Sequence, residues 1–116
     1  MLLTLAAASL STGGCDAPGE GRVAHFGRMR GAQLIRGIES YHLENARYPK
    51  SLNELTPRYL SRNDLIKLLS SPPKFDYISN SPESYELTFS YTGPGINTCS
   101  YVAEKVDAVW SCSGHY

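Results

Sequence analysis

Three cysteines, three histidines and a few spaced glutamates are the side chains through which this chain could do chemistry. His25, His42 and His115 are too scattered for any metal-ligand spacing. His42 falls on an apolar helix face, where a core residue hydrogen-bonded to its surroundings is expected rather than a ligand or a base. Glu39 and Glu44 fall on the polar side of that helix and Glu54 fits a helix cap, so they do not form the carboxylate pair that acid-base catalysis needs. A Cys and His nucleophile pair requires a free thiol, and each cysteine has a more ordinary role. Gly93-Pro94-Gly95 has no helix behind it to complete a phosphate cradle. The pattern predicts no catalytic centre, cofactor or metal, and the chain reads as non-enzymatic.

The two late cysteines have a chemistry of their own. If Cys99-Ser100-Tyr101-Val102-Ala103 and Ala108-Val109-Trp110-Ser111-Cys112 are antiparallel strands with a tight turn at Lys105-Val106, Cys99 stands opposite Cys112 and Tyr101 opposite Trp110. A directly opposed, non-hydrogen-bonded pair meets the Cβ separation of a disulfide. Closing a loop of this size stabilises a fold by about 3 kcal/mol. Lys105-Val106 is a poor turn dipeptide, and a longer loop is the alternative.

Met1 to Gly14 is an apolar run rich in Ala and Ser, shorter than the roughly 20 residues of a membrane-spanning helix. Residues 1–14 therefore read as an export signal. Thr12-Gly13-Gly14 before Cys15 resembles the lipobox of bacterial lipoproteins, whose cysteine is acylated after signal cleavage. Thr12 stands where that motif usually has Leu, and no Lys or Arg precedes the apolar run. The resemblance implies lipidation at Cys15 and, through Asp16 behind it, retention at the inner membrane. An ordinary secretory signal with an incidental cysteine is the alternative. On either reading the protein is exported and periplasmic, and on the first it is anchored to the membrane through Cys15.

Residues 15–25, with Asp16, Pro18, Gly19 and Gly21, read as a flexible tether. Residues 26–116 read as one small domain, since 116 residues with no net formal charge and 41% apolar side chains leave room for a single core. No run of like charge points to a nucleic-acid partner. Arg22, Arg28, Arg30 and Arg36 bias the first third toward positive charge and are expected to form a solvated helix face.

At about 100° per residue, Gly31, Leu34, Ile35, Ile38, Tyr41, His42 and Asn45 share one arc, and Arg30, Gln33, Arg36, Ser40, Glu44 and Arg47 the other. Tyr48-Pro49 ends that helix. Ser51 and Glu54 have capping-box spacing for a short helix over Leu52 and Leu55. Ser61 or Asn63 caps another over Leu65, Ile66, Leu68 and Leu69, stopped by Pro72-Pro73. From Lys74 the period changes to two: Phe75 and Tyr77 mark a short strand before a Ser79-Asn80-Ser81-Pro82 turn, and Tyr85, Leu87, Phe89 and Tyr91 alternate with polar residues in a clearer one. Gly93-Pro94-Gly95 turns into the Cys99 strand. The expected fold is two-layer α+β, one long N-terminal helix on an antiparallel sheet of about four strands, with short helices in the connecting loop.

With these elements in place, Gly31 to Leu60 resembles the second half of the long helix and the following loop of type II secretion pseudopilins and related type IV pilin-like proteins. Ile38, Tyr41, Asn45, Tyr48, Pro49, Leu52, Leu55, Pro57, Tyr59 and Leu60 carry the likeness. The resemblance implies a pilin-like head acting as a structural or protein-interaction module of a secretion or pilus-type apparatus. Such proteins assemble through an apolar N-terminal helix of membrane-spanning length behind a Gly-Phe-type peptidase site. The stretch Phe26-Gly27-Arg28-Met29-Arg30 is too polar for that, so a head on a signal or lipid tether is expected rather than a standard filament subunit. The end of the chain offers Asp107 and no oxygen cluster for the calcium that major pseudopilins bind.

Aromatic residues concentrate in the strand half, where Tyr77, Tyr85, Tyr91, Tyr101, Trp110 and Tyr116 mostly belong to the core. Rings left at the sheet edge suit partner contact, and Tyr48, Tyr59, Tyr91 and Trp110 are the candidate interaction residues. The expected partners are proteins of the cell envelope. An exported lipoprotein module holding an envelope ligand, unrelated to secretion, is the alternative. A small exported enzyme is a third reading, which would need His42 in a pocket with carboxylates from other segments.

Overall fold

The computed structural model describes residues 17–92, 95–104 and 108–114. The stretch read as an export signal, Cys15, Asp16, the expected turn residues Gly93-Pro94 and Lys105-Val106, Asp107, His115 and Tyr116 lie outside the described residues.

Helix α1 runs from Gly21 to Asn45. It starts inside the stretch read as tether, because Ala24 is fully buried and packing draws the first turn into the fold. Its buried face comprises Ala24, Gly27, Gly31, Leu34, Gly37, Ile38 and Tyr41. Two glycines on this face let rings of the sheet lie against helix backbone: a Cβ at Gly27 would overlap the Phe89 ring, and one at Gly31 would stand 2.7 Å from Trp110. The helix ends before its proline. Ala46 takes a left-handed conformation (φ 59°, ψ 24°) and donates its N–H to the His42 carbonyl at 2.9 Å.

A 3₁₀ turn at Leu52–Leu55 follows, with both leucines buried. Glu54 accepts the backbone N–H groups of Lys50 at 2.7 Å and Ser51 at 3.3 Å, the reach-back half of the expected capping box. Helix α2, Arg62–Ser70, is capped by Ser61 rather than Asn63: the Ser61 hydroxyl accepts the Asp64 N–H at 3.0 Å. Leu65 and Leu68 are its buried residues, and Ile66 faces out.

The sheet is an antiparallel meander in the order β1-β2-β3-β4, with β1 at Phe75–Ser81, β2 at Ser84–Thr92, β3 at Ile96–Val102 and β4 at Trp110–Ser113. In β2, Tyr85, Leu87 and Phe89 are buried and Tyr91 half-buried, as period two requires. Tyr85 and Leu87 join Leu34, Ile38 and Leu55 in the core, and Phe89 packs on Phe75 and Trp110. The fold is α+β, a long helix on a four-stranded antiparallel sheet.

Strand β1 is longer than its sequence suggests. Ser79, Asn80 and Ser81 belong to the strand, not to a turn. A register shift between Ile78 and Ser81 breaks the ladder, and the Ser79 hydroxyl donates to the Ser81 and Ser84 carbonyls at 2.9 and 2.8 Å. Strand β4 is shorter, beginning at Trp110, yet its register is the expected one: Cys99 pairs with Cys112 and Tyr101 with Trp110. The disulfide Cys99–Cys112 joins them across a Cα separation of 4.0 Å. Among the described residues no helix is long and apolar enough to cross a membrane.

Candidate protein-interaction site

Helix α1 leaves the molecule with two unlike ends. Its C-terminal end meets the β1–β2 turn, where Tyr48 donates its N–H to the Pro82 carbonyl at 2.8 Å. Its N-terminal end meets the end of β2, where the Tyr91 hydroxyl accepts the Gly19 N–H at 2.8 Å. The candidate interaction residues divide between these ends, Tyr48 and Tyr59 at the first, Tyr91 and Trp110 at the second.

Tyrosines paired with carboxylates build the first end. Tyr48 and Tyr85 both donate to Glu39, each at 3.2 Å. Tyr41 donates to Glu54 at 2.6 Å, and Tyr59 to Glu44 at 2.9 Å. Burial first, and then the Glu39 charge, push the Tyr48 hydroxyl up to about 12. The same two causes raise Tyr85 far above the ordinary tyrosine range, and burial raises Tyr77. Hydrogen bonds from Tyr41 and the Lys50 and Ser51 N–H groups hold the Glu54 carboxyl below its usual value, against the opposing effect of partial burial. Hydrogen bonds from Arg58 and Tyr59 do the same for the exposed Glu44.

This arrangement changes several expectations. Tyr48, expected to face a partner, is only 8% exposed and packs edge-on against Tyr85. Glu39, expected in solvent, is half-buried between two phenols. His42 is half-buried, not core, and stacks flat on Tyr48 with ring centroids 4.1 Å apart. Tyr59 is half-buried with its hydroxyl on Glu44.

A surface feature absent from the sequence reading lies beside Tyr48. Arg47, Tyr48, Lys50, Ser79, Asn80 and Pro82 line a cleft of about 240 Å³. The Arg47 guanidinium lies over the Tyr41 ring at 5.2 Å and pairs with Glu54 at 3.4 Å, which fixes it at the rim. Lys50 is exposed. Two cations over a floor of tyrosine and proline suit an acidic or amphipathic side chain of another protein. Arg47 and Lys50 flanking Tyr48-Pro49 were visible in the sequence, but the opposite wall lies some thirty residues further along, and no local pattern joins them.

The second end is built on different contacts. Tyr91 spends its hydroxyl on Gly19, and Trp110, half-buried, packs on Phe89 and Tyr101 with centroids 5.3 and 5.5 Å apart. Only part of the arginine face is solvated. Arg28 donates to the Gly19 carbonyl at 2.6 Å, and Arg30 lies over Phe75 and donates to the Leu68, Ser71 and Pro72 carbonyls at the end of α2. Arg22 and Arg36 are exposed, as expected. Among the described residues no three His, Cys, Asp or Glu side chains come together as a metal-ligand group. In comparisons with protein-family models, curated proteins and solved structures, the chain matches none.

Proposed function

We propose that the protein is a non-enzymatic, exported envelope protein, a pilin-like head that binds other proteins of a secretion or pilus-type apparatus. The observation that carries this reading is the junction after α1. A left-handed Ala46 is followed by Tyr48-Pro49, with Tyr48 tied by its backbone to the β1–β2 turn and by its hydroxyl to the helix. That junction holds Arg47 and Lys50 in one place at the tip of an α+β head. The cleft they border is smaller than the roughly 300–1,000 Å³ of typical small-molecule pockets, which favours one or two side chains of a protein over a whole ligand.

Export and a lipid anchor at Cys15 belong to the same proposal and rest on the lipobox-like Thr12-Gly13-Gly14-Cys15. A photo-crosslinking amino acid at Asn80, on the cleft wall, tests the interaction in the native envelope. The expected result is a discrete protein adduct that disappears when Arg47 and Lys50 are both changed to Glu. Adducts of equal yield in the charge-reversed variant, or none at all, overturn this reading.

A further inference from the structure

We infer that the N-terminal end of the domain, around Val23, Phe26 and Pro72, rests on the lipid leaflet in which Cys15 is anchored. The inference depends on the proposed acylation of Cys15 and adds to it a surface and an orientation.

Gly19 is a fixed point of the fold. Its N–H is held by Tyr91 at 2.8 Å, its carbonyl by Arg28 at 2.6 Å, and a Cβ on it would stand 2.9 Å from the Cys112 sulfur. Its φ of +88° is one that glycine adopts without strain. Cys15 lies four residues upstream, so at most about 14 Å of chain separates an acylated cysteine from the clamp. The headgroup layer takes up roughly 5–8 Å of that. The clamp therefore sits within several ångströms of the headgroups, and Phe26 is only about 8 Å of helix from Gly21.

The residues nearest the clamp fit such a surface. Val23 is 45% and Phe26 50% exposed. They border two grooves that share Pro72, one lined also by Lys74 and Asp76 and the other by Lys67 and Asp64. Ile96, paired with Thr92 at the same end of β2, is 68% exposed. Arg22 is exposed beside them. With charges of both signs around them, the exposed apolar side chains are the part of this surface that a leaflet would take up, and an acyl chain joined to such a contact is the two-signal arrangement that gives stable binding. The short tether selects the leaflet over a protein as the occupant, because this face cannot turn away from the membrane by more than the tether's length.

The test uses the acylated full-length protein in vesicles of phosphatidylethanolamine and phosphatidylglycerol with brominated acyl chains. Two variants, Phe26→Trp and Leu43→Trp, place an indole at an exposed site on either end of α1, above the shared background of Trp110. The expected result is flotation of both, with emission of the Phe26→Trp indole quenched about twofold and that of the Leu43→Trp indole unchanged. Flotation without quenching at position 26 overturns the docking and leaves the anchor standing. Failure to float overturns the anchor, and the docking with it. A blue-shifted but unquenched indole at position 26 shows a second copy covering the patch and overturns the lipid assignment.

Discussion

The two ends of α1 are joined to the sheet by opposite means. At the N-terminal end, rings of Phe89 and Trp110 press onto glycine backbone, and the Cys99–Cys112 bond lies beneath Gly19. At the C-terminal end, phenols are satisfied by carboxylates at Glu39, Glu44 and Glu54. Apolar packing and a covalent bond do not respond to pH, whereas tyrosine–carboxylate pairs do; a disulfide responds to reductant, whereas the pairs do not. One small domain thus has an end suited to being held and an end whose polar groups are poised near a surface cleft.

The largest way to break this contrast is at the disulfide. Cys112→Ser is expected to lower stability by about 3 kcal/mol, or roughly 12–24 °C in melting temperature. Reductant should move the wild type by a similar amount and the variant hardly at all. Equal melting points for the two proteins without reductant refute the bond's contribution. Next comes Gly27→Ala, which puts a methyl group into the Phe89 ring and should cost about 2 kcal/mol. A neutral result means that helix and sheet separate more easily than the buried Phe89 suggests.

At the other end, Tyr85→Phe removes one donor to Glu39 and should cost about 1 kcal/mol. Its pH dependence sharpens the contrast further. The folded pKa values of Tyr48 and Tyr85 lie above 10, so above pH 10 the unfolded chain loses phenolic protons that the folded chain keeps. Their stabilisation is complete below pH 10 and declines as pH rises. Glu54 has the opposite sign: its folded pKa lies below 4.5, so its contribution is complete above that pH and lost as pH falls through the folded value. Melting curves should fall at both extremes, with Tyr85→Phe flattening the alkaline limb and Glu54→Gln the acid one. Parallel pH profiles for wild type and both variants would contradict the assignment.

The legible parts of the fold were those with a local period. Alternation in β2 and the opposed spacing of Cys99 and Cys112 both describe neighbours along or across one strand pair, and both recur in the structure. The helix start was misplaced because Gly19 and Gly21 read as flexibility, while Gly19 serves close approach to Cys112. Arg30 lies on the polar arc of a helical wheel, yet α2 ends beside it and offers three carbonyls, a juxtaposition that the wheel does not contain. The cleft was illegible for the same reason: its walls are Arg47–Lys50 and Ser79–Pro82, and only the folded Tyr48 to Pro82 bond brings them together. Tyr48 follows the end of the helix as its proline neighbour led one to expect, but its ring, expected to face a partner, is turned inward onto Tyr85.

The smallest expected effect lies at Ala46, and it separates the conformation of the junction from its polar contacts. Ala46 occupies a left-handed position, φ 59°, where an L-residue with a Cβ is strained by about 1 kcal/mol relative to glycine. Ala46→Gly relieves that strain, while the greater freedom of glycine in the unfolded chain offsets part of the gain. A net stabilisation of about 0.5 kcal/mol follows, or roughly 2–4 °C. The hydroxyl of Tyr48 still reaches Glu39 in this variant, so the alkaline limb should keep its wild-type midpoint while the whole curve shifts upward. If instead the melting point falls, the chain at Ala46 is not left-handed. The α1 exit would then run in another direction, and neither the Tyr48 to Pro82 bond nor the cleft beside it could form as described.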